Sequence, residues 1–471
     1  MKCLWGLLIA LGFSGWARAQ NVPANIAQLM QKNQVSAEGL TLIIQDVAQE
    51  VPLVSLNAQT LRSPASLEKV LTTAAALIRL GGDYLWQTKF YADAMPDANG
   101  VIQGNLYVKG GGDPFLVEER LQQMLKDLRA RGVRHITGNI VLDNSLYYLP
   151  QEARNTQSFD GNGWSAYNAV PSPLMVNFRT VKLRLSPQGK QQAAVALWPN
   201  IMNWKIDNQM TVNAGKCDAN YSPAVDLLRD ERGYAVVQLT GKYSTACGAR
   251  ELTVVMGEES EQFYYLFHDL WYAEGGSFDG GGQIGPVPAT AQPLYSGMSL
   301  PLREQIQKMN QLSNNVMTRQ LLLTLGAEVY GVPGSLDKGR QAVRETLAAF
   351  GVPVEGMLID NGSGLSRDSR VSGHTLATLL LNLYASGYAM EFMQSLAVAG
   401  ENGTLNRRFV GEALQGRVIG KTGTIDAVRG FAGYVQAQSG HVYVVVIIGN
   451  GKEAVKSRAL QDDVLRWVYR Q

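Results

Sequence analysis

The 471 residues carry 42 Lys+Arg against 40 Asp+Glu, a formal net charge of +2, with 46% hydrophobic residues and 3 cysteines. A nearly neutral chain gives no electrostatic case for binding nucleic acid, and its length and apolar share suit a large core divided over two or three domains. His135, His268, His374 and His441 are scattered and neither CxxC nor HExxH occurs, so no metal ligands and no cofactor are expected.

In chain order, Lys2, the apolar run Leu4 to Phe13 and the small-x-small triplet Ala17-Arg18-Ala19 read as a cleaved secretory peptide over residues 1–19. The run is short for an uncleaved anchor. Cleavage would remove Lys2 and Arg18, leaving 40 basic residues against 40 acidic ones. In an exported chain Cys217 and Cys247 are a candidate disulfide, with two separate thiols as the alternative. No later run approaches a transmembrane helix, and VYVVVIIG (442–449) has the length and β-branched composition of a strand.

LTLIIQDV (40–47) and VPLVSL (51–56) predict a strand pair, followed by a helix in RSPASLEKVLTTAAALIRL (62–80). From about residue 90 the chain turns to short β-like runs broken by Gly, Asn and Asp, an inserted β-rich region that ends in the Gly/Pro-rich segment 275–293. Helical patterning resumes in LREQIQKMNQLSNNVMTRQLLLTLG, read as one helical stretch, and in KGRQAVRETLAAFG. Two strands joined through Ser439-Gly440 and a helix from about 453 to 469 close the chain. Strands at both ends around a helical middle suggest one α/β domain built from both ends, with the β-rich part inserted.

Several motifs compete. Gly280-x-Gly282-x-x-Gly285 matches a dinucleotide fingerprint by letters, but Pro286 and Pro288 stand where its helix should begin. SxxK occurs at Ser66–Lys69 and at Ser335–Lys338. Ser335 reads as the N-cap of an amphipathic helix, whereas Ser63-Pro64 looks like the cap pair of the first site and relieves Ser66 of that task. Ser66 and Lys69 then share one face of a helix that is apolar nearly all round. Burial, the helix dipole and a second cation would push the Lys69 amine toward neutrality, making it a general base; a lysine that snorkels to solvent is the plainer alternative. Lys421-Thr422-Gly423-Thr424, at the start of a strand pattern or on it, supplies that cation, hydroxyls for an anionic group and a glycine that admits a ligand. Ser313-Asn314-Asn315 offers a hydroxyl and an amide, although Ser55-Leu56-Asn57 shows how little such a triplet says alone.

Together, SxxK near the start, SxN in the middle and KTG near the end form the motif set of penicillin-binding proteins and serine β-lactamases. The 243 residues between Lys69 and Ser313, the PASxxK form of the first motif, GGGDP (110–114) and DNGSGLSR (360–367) make the chain resemble the class C low-molecular-mass penicillin-binding proteins, the D-alanyl-D-alanine carboxypeptidase/endopeptidases. The resemblance spans the mature chain. It implies an α/β penicillin-binding/serine β-lactamase-like domain, an antiparallel sheet with flanking helices, over 20–90 and 290–471. Inserted into it would be a domain over 91–165 and 255–289 and a further β-rich domain over 166–254.

The resemblance also implies a periplasmic serine peptidase acting on the D-Ala-D-Ala end of peptidoglycan stem peptides and on cross-links, with β-lactams as covalent inhibitors. Ser66 would be the nucleophile, Lys69 its base, Ser313 and Lys421 a proton relay, and Asn315 a holder of the peptide amide. Thr422, Gly423 and Thr424 would bind substrate. The alternatives are a serine β-lactamase and a non-catalytic cell-wall binder; Ser-Asn-Asn in place of Ser-Asp-Asn leans away from the first. Asp143 is either a ligand for a stem-peptide amine or a turn aspartate, and Asp360 either lines the cleft or belongs to a Gly/Ser turn.

Overall fold

The computed structural model describes residues 21–155, 157, 159–189, 192–218 and 223–471. The expected secretory peptide, residues 1–19, lies outside the described residues. The chain forms two compact units: one comprises the amino-terminal segment through Leu67, Phe350–Leu358 and Ser369–Gln471, the other Glu68–Ala349 and Ile359–Asp368.

The first unit is built on a six-stranded sheet in the order Ala397–Val398, Val418–Ile425, Val428–Gln436, Val442–Asn450, Leu40–Asp46, Val54–Leu56, antiparallel throughout. Leu40–Asp46 pairs with Val442–Asn450 from Leu40↔Gly449 to Asp46↔Tyr443, so the two ends of the chain share one sheet. That explains why VYVVVIIG lacks polar alternation, since a central strand is buried on both faces. On one face Leu42, Phe431, Val445 and Ile447 pack with Ile26 of helix Ala24–Lys32 and with Leu460, Val464 and Val468 of helix Ser457–Tyr469. Thr41 and Ile43 point to the other face, against Gly373 at the start of helix Gly373–Tyr384. The hydroxyl of Tyr434 donates to the Leu380 carbonyl of that helix at 2.8 Å.

In the second unit, helix Glu68–Leu80 is buried from Glu68 to Leu77, enclosed by helices Leu302–Gln311, Asn315–Tyr330 and Leu336–Ala349. Strands Gln87–Ala92 and Gln292–Met298 run antiparallel, carrying the chain out into the inserted region and back. They complete a five-stranded sheet with Leu106–Lys109, Ile140–Asp143 and Gly282–Ile284. Phe90, Val108, Ile140 and Leu142 of this sheet pack on helices Glu118–Ala130 and Glu261–Ala273 through Leu121, Leu125, Phe263 and Phe267. No helix follows Gly282–Ile284, in keeping with rejection of the dinucleotide motif. Short strands between Thr180 and Val255 surround a separate core of Leu183, Trp204, Val237, Leu239 and Tyr243, and Cys217 and Cys247 form the expected disulfide.

Candidate active site

In the first unit, residues 62–67 are fastened to the sheet. Arg62 forms a bridge with Val371 and donates to Thr41 Oγ1. The side chain of Asn450 takes both backbone groups of Ser63, accepting from its N–H at 2.9 Å and donating to its carbonyl at 3.1 Å. Here the expected cap is corrected: Ser63 Oγ is buried and forms no hydrogen bond among the described residues. The chain enters the helix through a tight turn over Ala65–Leu67 instead, closed by Leu67 N–H on the Pro64 carbonyl. Ala65 sits in the left-handed region at φ 48°, costing about 1–2 kcal/mol for a non-glycine residue. That strain immediately precedes Ser66.

The turn rests on strands Val418–Ile425 and Val428–Gln436. Gly423 and Gly430 are cross-strand partners, and a Cβ on Gly423 would lie 2.8 Å from the Pro64 carbonyl oxygen. Side chains alternate along a strand, so Lys421 shares the turn-facing side with Gly423. Lys421 is fully buried; its Nζ donates to the Thr422 carbonyl at 2.9 Å, and burial pulls its pKa down to about 7. Thr422 Oγ1 donates to Thr404 Oγ1 at 2.9 Å, and Thr424 is exposed. The short strand Ala397–Val398 pairs only with Ile419 and Gly420. Among the described residues no strand covers the outer edge of 421–425, an edge that an extended peptide can join.

In the second unit Lys69 is fully buried, and its Nζ donates to Asn315 Oδ1 at 2.6 Å and to the Ser363 carbonyl at 2.5 Å. The loop that presents this carbonyl is gripped by the first turn of the same helix. Glu68 Oε1 accepts from Gly362 N–H at 2.7 Å, and Thr72 Oγ1 donates to the Gly362 carbonyl at 2.7 Å. The Ser-Asn-Asn triplet does not continue a helix. Ser313 turns left-handed at φ 56° between Leu302–Gln311 and Asn315–Tyr330, and Asn314 caps the second helix by accepting from Met317 N–H. An asparagine able to cap and a turn-forming serine end the helical periodicity that the flanking residues continue.

Lys69, Asn315 and Ser363 are thus brought together in one unit, with Ser313 on the adjoining turn; Ser66, Lys421, Thr422, Gly423 and Thr424 gather in the other. Asp143 is buried and accepts from the N–H groups of Ser145 and Val287 at 2.9 and 3.1 Å, the geometry of a turn aspartate. Asp360 is paired with Arg340 at 2.7 Å. Ser335 accepts from Lys338 N–H at 3.3 Å, which makes the second SxxK a helix cap. Sequence reasoning missed Asn450, Glu68, Thr72 and the Ser363 carbonyl; only the last had a signal, the DNGSG run.

A profile of the D-Ala-D-Ala carboxypeptidase 3 (S13) family matches residues 22–471. A D-alanyl-D-alanine carboxypeptidase of Actinomadura sp. (strain R39) is 28% identical, over 98% of this chain and 87% of its own length. The D-alanyl-D-alanine carboxypeptidase DacB of Haemophilus influenzae is 25% identical over 96% and 94%. The crystal structure of penicillin binding protein 4 from H. influenzae matches with a TM-score of 0.81 at 23% identity, covering 95% of this chain and 100% of that one; the same protein has been solved complexed with a β-lactam. The fold is therefore the expected penicillin-binding type.

Proposed function

The chain belongs to the D-Ala-D-Ala carboxypeptidase 3 (S13) family, and on that premise we propose that it is a serine DD-peptidase whose nucleophile is Ser66. The substrate is the D-Ala-D-Ala end of a peptidoglycan stem peptide, and cross-links ending in D-alanine are cut at the same site. Ser66 Oγ attacks the carbonyl carbon between the two D-alanines while Lys69 takes its proton. The N–H groups of Ser66 and Thr424 stabilise the oxyanion, a contribution of about 3–4 kcal/mol for such a donor. Ser313 delivers a proton to the leaving amine with Lys421 completing the relay, Asn315 holds the peptide amide, and the Thr422 and Thr424 hydroxyls hold the terminal carboxylate beside Gly423. Water then releases the acyl group from Ser66. A β-lactam acylates the same serine and leaves slowly.

The observation that carries this reading is the grip on Lys69. Its Nζ donates to Asn315 Oδ1 and to the Ser363 carbonyl, which fixes the amine of the residue three places after Ser66 that the family pattern makes its base. We assign the catalytic domain to 20–90 and 290–471, with insertions over 91–165 plus 255–289 and over 166–254, and the periplasm as the site of action after loss of residues 1–19. Fluorescent penicillin tests the assignment: stoichiometric labelling of the wild type, absent in Ser66→Ala, is expected. No label on the wild type, or equal label on both, overturns it, and rapid turnover of nitrocefin would favour a β-lactamase.

A further inference from the structure

The turn that carries Ser313 is tied to Lys69 on both sides. Two places after it, Asn315 Oδ1 accepts from Lys69 Nζ at 2.6 Å. Three places before it, Asn310 Nδ2 donates to Thr73 Oγ1 at 3.1 Å, and Thr73 Oγ1 donates to the Lys69 carbonyl at 2.7 Å. Lys69 is thus gripped at its amine and at its backbone by the two residues that bracket Ser313. The first contact belongs to the site already described; the second does not.

Asn310 and Thr73 are both fully buried. A threonine inside a helix commonly bonds back to the carbonyl four residues earlier, so the bond from Thr73 to Lys69 is ordinary by itself. The single hydroxyl proton goes to that carbonyl, the nearer acceptor, rather than to Asn310 Oδ1 at 3.5 Å. The oxygen is left to accept from the amide of the neighbouring helix. Burying that amide costs free energy unless it is hydrogen-bonded, a cost that two apolar residues would avoid. What the polar pair supplies instead is direction.

Direction matters because of what else holds helix Leu302–Gln311. Leu302, Ile306 and Met309 are fully buried, and apolar packing is non-directional. Gln305 Nε2 donates to Asp113 Oδ1 at 2.9 Å, but more than a turn farther from Ser313. Asn310 is the last buried residue of the helix. Beyond it the chain turns at once: Leu312 N–H bonds to the Lys308 carbonyl at 3.2 Å, Asn314 N–H to the Met309 carbonyl at 3.0 Å, and Ser313 between them is left-handed. Any rotation of the helix end therefore carries Ser313 with it, and the Asn310–Thr73 bond fixes that rotation against the helix bearing Lys69.

We propose that Asn310 is a positioning residue for Ser313, acting through Thr73 on the backbone of Lys69. This rests on the relay reading above, in which Ser313 protonates the leaving amine. In that step the C–N bond breaks as the nitrogen takes the proton of Ser313 Oγ, and Lys421 replaces the proton on that oxygen. A thioester with the same acyl part loses a thiolate instead, which departs with the C–S electron pair and needs no proton. Misplacing Ser313 therefore penalises the amide and spares the thioester.

The test compares kcat/KM of the full mature chain on a peptide ending in D-Ala-D-Ala and on the thioester that carries the same acyl group, a ratio that loss of folded protein alone does not move. Asn310→Leu and Thr73→Val are expected to lower the peptide value about tenfold or more, part of the roughly 10²–10⁴-fold that a positioned general acid supplies, and the thioester value less than about threefold. Thr73→Ser restores the hydroxyl and should restore the ratio. Thr73→Val keeps the shape of the side chain, so it carries the test if Asn310→Leu fails to fold. Ser313→Ala should show the same split more strongly. That split in Ser313→Ala without one in Asn310→Leu or Thr73→Val, or no recovery in Thr73→Ser, overturns the proposal. A wild type inert toward both substrates, or a Ser313→Ala that slows both alike, sinks the relay reading, and the proposal falls with it.

Discussion

Gly423 and Gly430 face each other across two antiparallel strands, and together they form the seat of the turn that carries Ser66. An added Cβ would lie 2.8 Å from the Pro64 carbonyl oxygen in one case and 2.8 Å from Leu67 Cδ1 in the other. Backbone cannot yield as a leucine methyl can. Gly423→Ala is therefore expected to slow acylation by β-lactam at least tenfold and to cost about 1–3 kcal/mol of stability, with Gly430→Ala milder on both counts. Stopped-flow acylation rates and thermal unfolding of the two variants check the order; a harsher Gly430→Ala would refute it.

Lys421 is expected to impose a pH dependence. Burial brings its pKa to about 7, and the proposed relay draws on the proton of this cation for the leaving amine, so the acylation rate should fall as pH rises through about 7. Lys421→Arg keeps a permanent charge and should remove that limb while lowering the rate. Stability follows the opposite sign. The folded-state pKa lies below the unfolded value of 10.5, so the unfolded chain binds more protons between about 7 and 10.5, and this group's contribution improves as pH rises through that window. Rate profiles and denaturation midpoints of both proteins test the two limbs.

Thr72 and Glu68 hold the Gly362 peptide from both ends. Thr72→Val leaves the buried Gly362 carbonyl unsatisfied, a loss of about 1–3 kcal/mol, and loosens the Ser363 carbonyl from Lys69. Penicillin labelling should slow by more than the stability loss explains. Comparison of Thr72→Val with Thr72→Ser, which restores the hydroxyl and should restore the rate, separates positioning from simple destabilisation.

How much of this was legible depended on whether a residue acts through its type or its placement. The strand VYVVVIIG, the lysine at 421 and the apolar helix behind Ser66 follow from side-chain chemistry and period. The cap assigned to Ser63 failed because its backbone is held by Asn450, 387 positions away, a contact with no local signature. The turn at Ser313 was hidden because a serine, not a glycine, takes the left-handed conformation there. The partner of Lys69 at Ser363 is a main-chain carbonyl, which every residue type offers equally.

The Cys217–Cys247 bridge sits just beyond the ends of two parallel strands, Thr211–Asn213 and Lys242–Ser244, which pair only with each other in the described residues. A two-stranded ladder is marginal by itself, and parallel strands cannot be joined by a tight turn. The covalent link therefore does what a hairpin would do elsewhere. Replacing both cysteines by serine should cost about 3–4 kcal/mol in the chain-entropy account, concentrated locally. Hydrogen exchange should show protection lost at 211–213 and 242–244, while the core around Leu183, Val237 and Tyr243 keeps most of its protection. Penicillin labelling of Ser66 should persist, since none of the residues assigned to the chemistry lies in this segment. Uniform loss of protection across the whole chain would show that the bridge acts on global folding instead.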